Sequence, residues 1–182
     1  MGPVAPTSKS GCRYVFIVVD YFTRFVWARA VPTADGLTVL RVLQQEVFNI
    51  FGLPKSIYTD NATYFAQGPL FQFCKGVGIT QFPAPKSHPS SPGLAERNVR
   101  SILAAVRAEL VYGQPRVDPL DWDIVVPRAV RALNTRANSV HGFSPAVLML
   151  GQNPTYGMSP SCPFRAVEPR LGNSTSFPSP FV

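Results

Sequence analysis

YVFIVVDYFTRFVWARAV, residues 14–31, holds the two patterns that set the fold class. Tyr14–Val19 is an unbroken β-branched and aromatic run, the signature of a strand buried on both faces. Phe22–Val31 alternates roughly between apolar and polar residues, as a neighbouring half-covered strand does, with Asp20-Tyr21 between the two. The stretch reads as a hairpin-like pair.

Downstream, the periodicity changes. Thr33 or Asp35 can cap a helix whose apolar positions Leu37, Leu40, Val47, Ile50 and Phe51, with Leu43 beside them, recur at about helical spacing until Gly52 and Pro54 stop it. Ser56–Thr59 is a short strand ending at Asp60, Leu70–Val77 a short helix and Ile79–Phe82 another short strand. The order strand, strand, helix, strand, helix, strand predicts an α/β fold with helices flanking a mixed sheet.

Residues 83–92, PAPKSHPSSP, carry four prolines in ten, which excludes helix and central strand and predicts a surface loop. A long helix follows, with Ala95, Val99, Ile102, Leu103, Val106 and Leu110 on one apolar stripe and Arg97, Arg100 and Arg107 largely off it. Asp121–Ala137 is a second helical stretch, and Ser144-Pro145 opens a short third one that runs to Leu150 and Gly151. From Gln152 onward six prolines and many serines fall in 31 residues without periodicity. The expected organisation is one core over residues 1–151 and a disordered tail over 152–182.

With 182 residues, 46% hydrophobic and 15% charged, the chain can bury one core of good size. No apolar run approaches the roughly 20 residues that cross a bilayer, and the N-terminus does not read as an export signal. Cys12, Cys74 and Cys162 are odd in number and far apart, and with only His88 and His141 beside them they form neither a disulfide framework nor a zinc site. Lys and Arg total 17 against 10 acids, for a net charge of +7, and 13 of the 17 are Arg, whose planar fork suits phosphate. A polyanionic partner is the first expectation.

Scarce acids stand out on such a background. Asp60 follows a short strand, and Glu96 opens the Arg-bearing helix after the proline loop. Carboxylates at strand and helix ends can converge to hold the divalent metals used in phosphodiester chemistry. The same two positions also suit a loop cap and a helix-dipole partner.

The residues around them extend the pattern. TDNATYF, Thr59–Phe65, resembles the T-D-N-G-x-x-F segment of retroelement integrases, with Ala62 at the usual Gly. HPSSPGLAERNVR, His88–Arg100, resembles their H-P-x-x-x-G-x-x-E-R-x-N-R segment, with Val99 where Asn is frequent. The 35 residues between Asp60 and Glu96 match the family spacing. VVDYFTRFVWA, Val18–Ala28, and LNTRANSVHGFSPAVLMLGQNP, Leu133–Pro154, are further matches, the latter to gypsy-type long-terminal-repeat retrotransposon integrases. The resemblance covers about residues 1–154.

It implies a ribonuclease H-like fold and a polynucleotidyl transferase and nuclease that trims element DNA ends and joins them to target DNA. It further implies three carboxylates and two Mg²⁺ or Mn²⁺ ions, with Asp60 and Glu96 as the second and third carboxylates. The family's first catalytic Asp lies on a strand preceding a Gly-Pro pair that resembles Gly2-Pro3. The first strand is accordingly expected to be missing or incomplete, the core N-terminally truncated and the chain inactive by itself. The second reading is a non-catalytic nucleic-acid-binding or interaction module derived from an integrase.

Asp20 matches a family Asp that is not the catalytic one; it is either a third metal ligand or a structural group bonding a turn near Thr23 or pairing with Arg24. Asn61 can orient a metal-bound water or nucleic acid, or close an Asx turn. Lys86 and His88 are DNA contacts or solvated loop groups, and Arg97 and Arg100 are phosphate contacts or a plain exposed face. Trp27 and Trp122 read first as core. The resemblance implies DNA as partner, a homodimer or higher oligomer, and action in the nucleus, with a cytoplasmic rather than secreted protein as the fallback.

Overall fold

The computed structural model describes residues 2–59, 67–83, 92–113, 115–139 and 142–154, with backbone alone for residues 83 and 92–98. The two strands of the opening stretch are β1, Tyr14–Val19, and β2, Val26–Val31, paired antiparallel with Tyr14 opposite Val31 and Val19 opposite Val26. β2 starts four residues later than the alternation predicts. Asp20 accounts for the difference: its Oδ2 accepts from the Thr23 amide and the Thr23 hydroxyl, both at 2.7 Å, and closes a turn where a ladder would otherwise continue.

Asp35 caps α1, Gly36–Leu43, by accepting from the amides of Leu37 and Thr38 at 3.0 and 2.9 Å. The expected single helix is interrupted: a π-helical segment, Gln44–Phe48, joins α1 to α2, Asn49–Phe51. The stop at Gly52 is as predicted, for its φ of 85° is open to a residue without Cβ. Beyond it lie β3, Ser56–Thr59, then α3, Pro69–Val77, and β4, Thr80–Pro83. β3 and β4 pair in parallel with Ser56 opposite Thr80.

The carboxyl half is helical: α4, Pro92–Tyr112; a 3-10 turn, Pro119–Asp121, capped by Asp118; α5, Trp122–Thr135; and α6, Pro145–Leu150. β1 lies between two apolar clusters, and strand alternation sends its side chains to each in turn. Val15, Ile17 and Val19 join Val26 of β2, Ile102 and Val106 of α4, and Trp122, Val125, Val126 and Ala129 of α5. Phe16 and Val18 turn the other way, against Val39, Leu43, Phe48, Leu70, Cys74 and Ile79, which Ile57 of β3 also meets. The result is helices on both faces of a strand layer.

Parallel and antiparallel pairing are both present, as a mixed sheet requires, but the described strands divide into two ladders, β1–β2 and β3–β4. Burial differs from expectation: within β1 only Val15 is buried and its neighbours are half-buried. No helix among them is long and apolar enough to cross a membrane.

Candidate carboxylate site

Two adjacent parallel strands point their carboxyl ends the same way. β3 ends at Thr59, immediately before Asp60, and β4 ends at Pro83, from which residues 84–91 lead to the first residue of α4. In α/β proteins the crevice beyond the carboxyl ends of parallel strands is where ligands bind. Glu96 and Arg97 lie on helical backbone four and five residues into α4. Asp60, Asn61, Lys86 and His88 lie outside the described residues, as do most of the 152–182 tail and Phe65.

α4 is oriented by its apolar stripe. Ile102 and Val106 are buried against α5, and Arg100 and Arg107 are exposed, as the periodicity predicts. Helical spacing sets positions 96, 100 and 107 along one flank, beside the buried stripe rather than on it. An acidic position followed by two basic ones along a single flank can place a metal-holding group and phosphate-holding groups on one line of a bound polyanion.

Asp20 stands at the opposite kind of place, the end of the β1 strand of the antiparallel ladder, and its Oδ2 is shared by two Thr23 donors. Arg24 does not pair with it; the guanidinium lies over the Tyr21 ring, 4.8 Å from the centroid, on a backbone with φ of 65°. Among the described residues no cluster of three or more His, Cys, Asp or Glu is arranged to hold a metal. Trp122 is buried in the core, and Trp27 packs in a ring group with Phe25 and Phe51 at 4.8 and 5.2 Å.

Two positioning features escaped the sequence reading. Lys9 bridges Asp118 and Asp121, each at 2.9 Å, which holds its ammonium above the usual range and ties the N-terminal loop to the start of α5. Ser10 donates to Asp123 at the same place. Asn134, buried on α5, holds both backbone groups of Val26. Spacing carries no signal for these, since each joins residues more than a hundred positions apart.

Residues 2–89 match the family model described as Integrase core domain. The chain is 24% identical, over 84% of its length, to the retrovirus-related Pol polyprotein from transposon 412 of Drosophila melanogaster, and spans 12% of that polyprotein. It is 30% identical over 79% of its length to the Pol polyprotein of Radiation murine leukemia virus, of which it spans 24%. In structure it resembles the HTLV-2 integrase catalytic core domain solved in complex with magnesium as a trimeric form, with a TM-score of 0.62 and 20% identity over 74% of this chain and 83% of that one. The fold is therefore that of a retroviral integrase catalytic core, ribonuclease H-like.

Proposed function

From an integrase core domain over residues 2–89 and a retroviral integrase core fold, we propose that this chain is the catalytic core of a retrotransposon integrase, of the gypsy type. Its ancestral reaction is DNA integration by 3′-end processing and strand transfer. The observation that carries the reading is topological: Asp60 and the segment leading to Glu96 both follow the carboxyl ends of adjacent parallel strands.

In this reading Asp60 and Glu96 hold divalent metal. Their hard oxygen donors fit Mg²⁺ or Mn²⁺, and a bound ion would supply activation of water and stabilisation of the leaving oxygen. Arg97 and Arg100, with Asn61, Lys86 and His88, hold the DNA backbone and orient it across the two carboxylates. DNA in the nucleus is the partner, and a homodimer or higher oligomer the working assembly.

Two carboxylates position two ions poorly, and Asp20 is already engaged with Thr23. The 182-residue chain by itself is thus a DNA-binding core without efficient transfer chemistry. That engagement favours the second reading, a binding or interaction module, for the isolated chain.

The test is an oligonucleotide nicking and strand-transfer assay in Mn²⁺ beside a DNA-binding assay across salt. Salt-dependent binding with no nicking above the Asp60→Asn control is the expected result. Metal-dependent nicking abolished by Asp60→Asn would overturn the inactivity, and absence of binding at low salt would overturn the DNA-binding core and leave only an interaction module.

A further inference from the structure

The ladder of β3 and β4 has one covered face and one open one. Ile57 packs on the cluster that α1 and α3 supply, and alternation turns Ser56 and Tyr58, with Thr80 and Phe82 opposite them, to the other face. All four are exposed, and the two aromatic side chains keep 64% and 42% of their surface in solvent. Tyr58 and Phe82 stack on each other, with ring centroids 5.2 Å apart and planes 22° from parallel. A cross-strand aromatic pair supports its ladder through the ring faces it covers, and here the outer surface of the stack stays bare.

Place and charge single out what extends the stack. Tyr58 precedes Asp60 by two residues, and Phe82 is next to the last residue of β4, from which the chain passes to α4 and position 96. The pair thus flanks the carboxylate position at the carboxyl ends of both strands. Its surroundings are polar and basic. Ser56 and Thr80 set hydroxyls on the same face one pair earlier, Lys55 is exposed at the entry to β3, and the chain carries a net charge of +7. A buried protein contact favours an apolar surround, whereas a nucleotide meets a flat ring for its base together with hydroxyls and cations for its sugar and phosphate.

We propose that Tyr58 and Phe82 form a stacking platform for an unpaired base at a single-stranded DNA end. A base inside a duplex already has both faces stacked, so only an unpaired one offers a free π-face. The platform therefore tells an open end from continuous helix, a distinction that arginines bound to phosphate do not make. Stacking of this kind is tolerant of base identity, so it selects the state of the end and not its sequence. The inference rests on the DNA-binding reading given above.

The test titrates the full chain, at one low salt concentration, with a short blunt duplex and with the same duplex carrying one unpaired 2-aminopurine at its end. Expected is roughly tenfold tighter binding of the overhanging duplex, with quenching of the 2-aminopurine fluorescence. Tyr58→Thr or Phe82→Thr, each compatible with a strand, should bring the affinity ratio close to one, and Tyr58→Phe should keep it. With the unaltered chain, an abasic sugar in place of the unpaired base should also remove the advantage, which decides the matter even where a variant fails to fold. Equal binding of blunt and overhanging duplexes overturns the platform and leaves DNA binding standing. No binding of either duplex overturns the DNA-binding reading, and the platform with it. An advantage that survives the abasic end or the threonine variants overturns the platform too, because the added phosphate would then be its source.

Discussion

The side chain of Asn134 stands in for a strand beside Val26. Its Oδ1 accepts from the Val26 amide at 2.9 Å and its Nδ2 donates to the Val26 carbonyl at 2.8 Å, on the edge of β2 turned away from β1. One amide satisfies both backbone groups and docks α5 against the ladder in register. Asn134 is 5% exposed, so water cannot substitute. Asn134→Ala leaves two buried groups unpaired and is expected to destabilise by roughly 2–4 kcal/mol. A urea midpoint that falls at unchanged slope checks this; a loss below about 0.5 kcal/mol would show the docking to be carried by apolar contact alone.

Asp35 links helix capping to acid stability. The Thr33 hydroxyl, then the amide and hydroxyl of Thr38, hold its carboxyl well below the ordinary value of 3.8. A depressed pKa adds stability above the unfolded value, and that stability is lost as pH falls through the folded one. The group is exposed, so the contribution is small. Asp35→Asn keeps a cap without the titration, and its stability should fall less than the wild type's between pH 5 and pH 2. Asp35→Ala should cost about 1 kcal/mol at neutral pH.

Trp122 and Lys9 both fasten the N-terminal loop, and magnitudes separate them. The buried Trp122 indole donates to the Pro6 carbonyl at 2.9 Å, whereas Lys9 makes its two ion pairs in open solvent. Trp122→Phe keeps most apolar contact and should still cost roughly 1–3 kcal/mol through the lost bond and volume. Lys9→Ala should hardly move the thermal midpoint. The reverse order in a melting comparison would mean that charge, not burial, holds the loop.

Divalent metal should stabilise the chain weakly. A site of two carboxylates with affinity on the order of 1 mM yields about 1.4 kcal/mol at 10 mM Mn²⁺. Asp60→Asn and Glu96→Gln should each abolish the thermal shift, and Asp20→Asn should not. A shift that vanishes with Asp20→Asn instead would make Asp20 a ligand.

Local signals were legible and long-range ones were not. The YVFIVV strand, a cap at one of the two candidates Thr33 and Asp35, the stop at Gly52 and the short helix running to Leu150 and Gly151 are written in neighbouring residues and appear in the structure where the pattern places them. The apolar spacing of residues 37–51 does not reveal the π-helical segment, because one widened turn leaves the average period almost unchanged. Phe22 and Phe25 look like strand residues until Asp20 is seen to use its side chain on Thr23. The division into two ladders depends on which strands meet, a non-local outcome. At the site, the strand ending at Thr59 and the helix carrying position 96 were readable from the pattern, while Asp60 lies outside the described residues. Asn134 reads as an ordinary polar residue on a helix, and nothing nearby in sequence announces its partner 108 residues earlier.

The two clusters flanking β1 impose an order on synthesis. One draws on residues from Phe16 to Ile79, the other joins Val4 and Cys12 to Leu133. As the chain leaves a ribosome from its amino end, the first cluster has all its members while α5 is still unmade. β1 then waits with one set of side chains packed and the other covered only in part, by Val26 and α4, until Trp122–Thr135 emerges. A nascent chain of this protein is most vulnerable to aggregation in that interval, and holdase chaperones would act there.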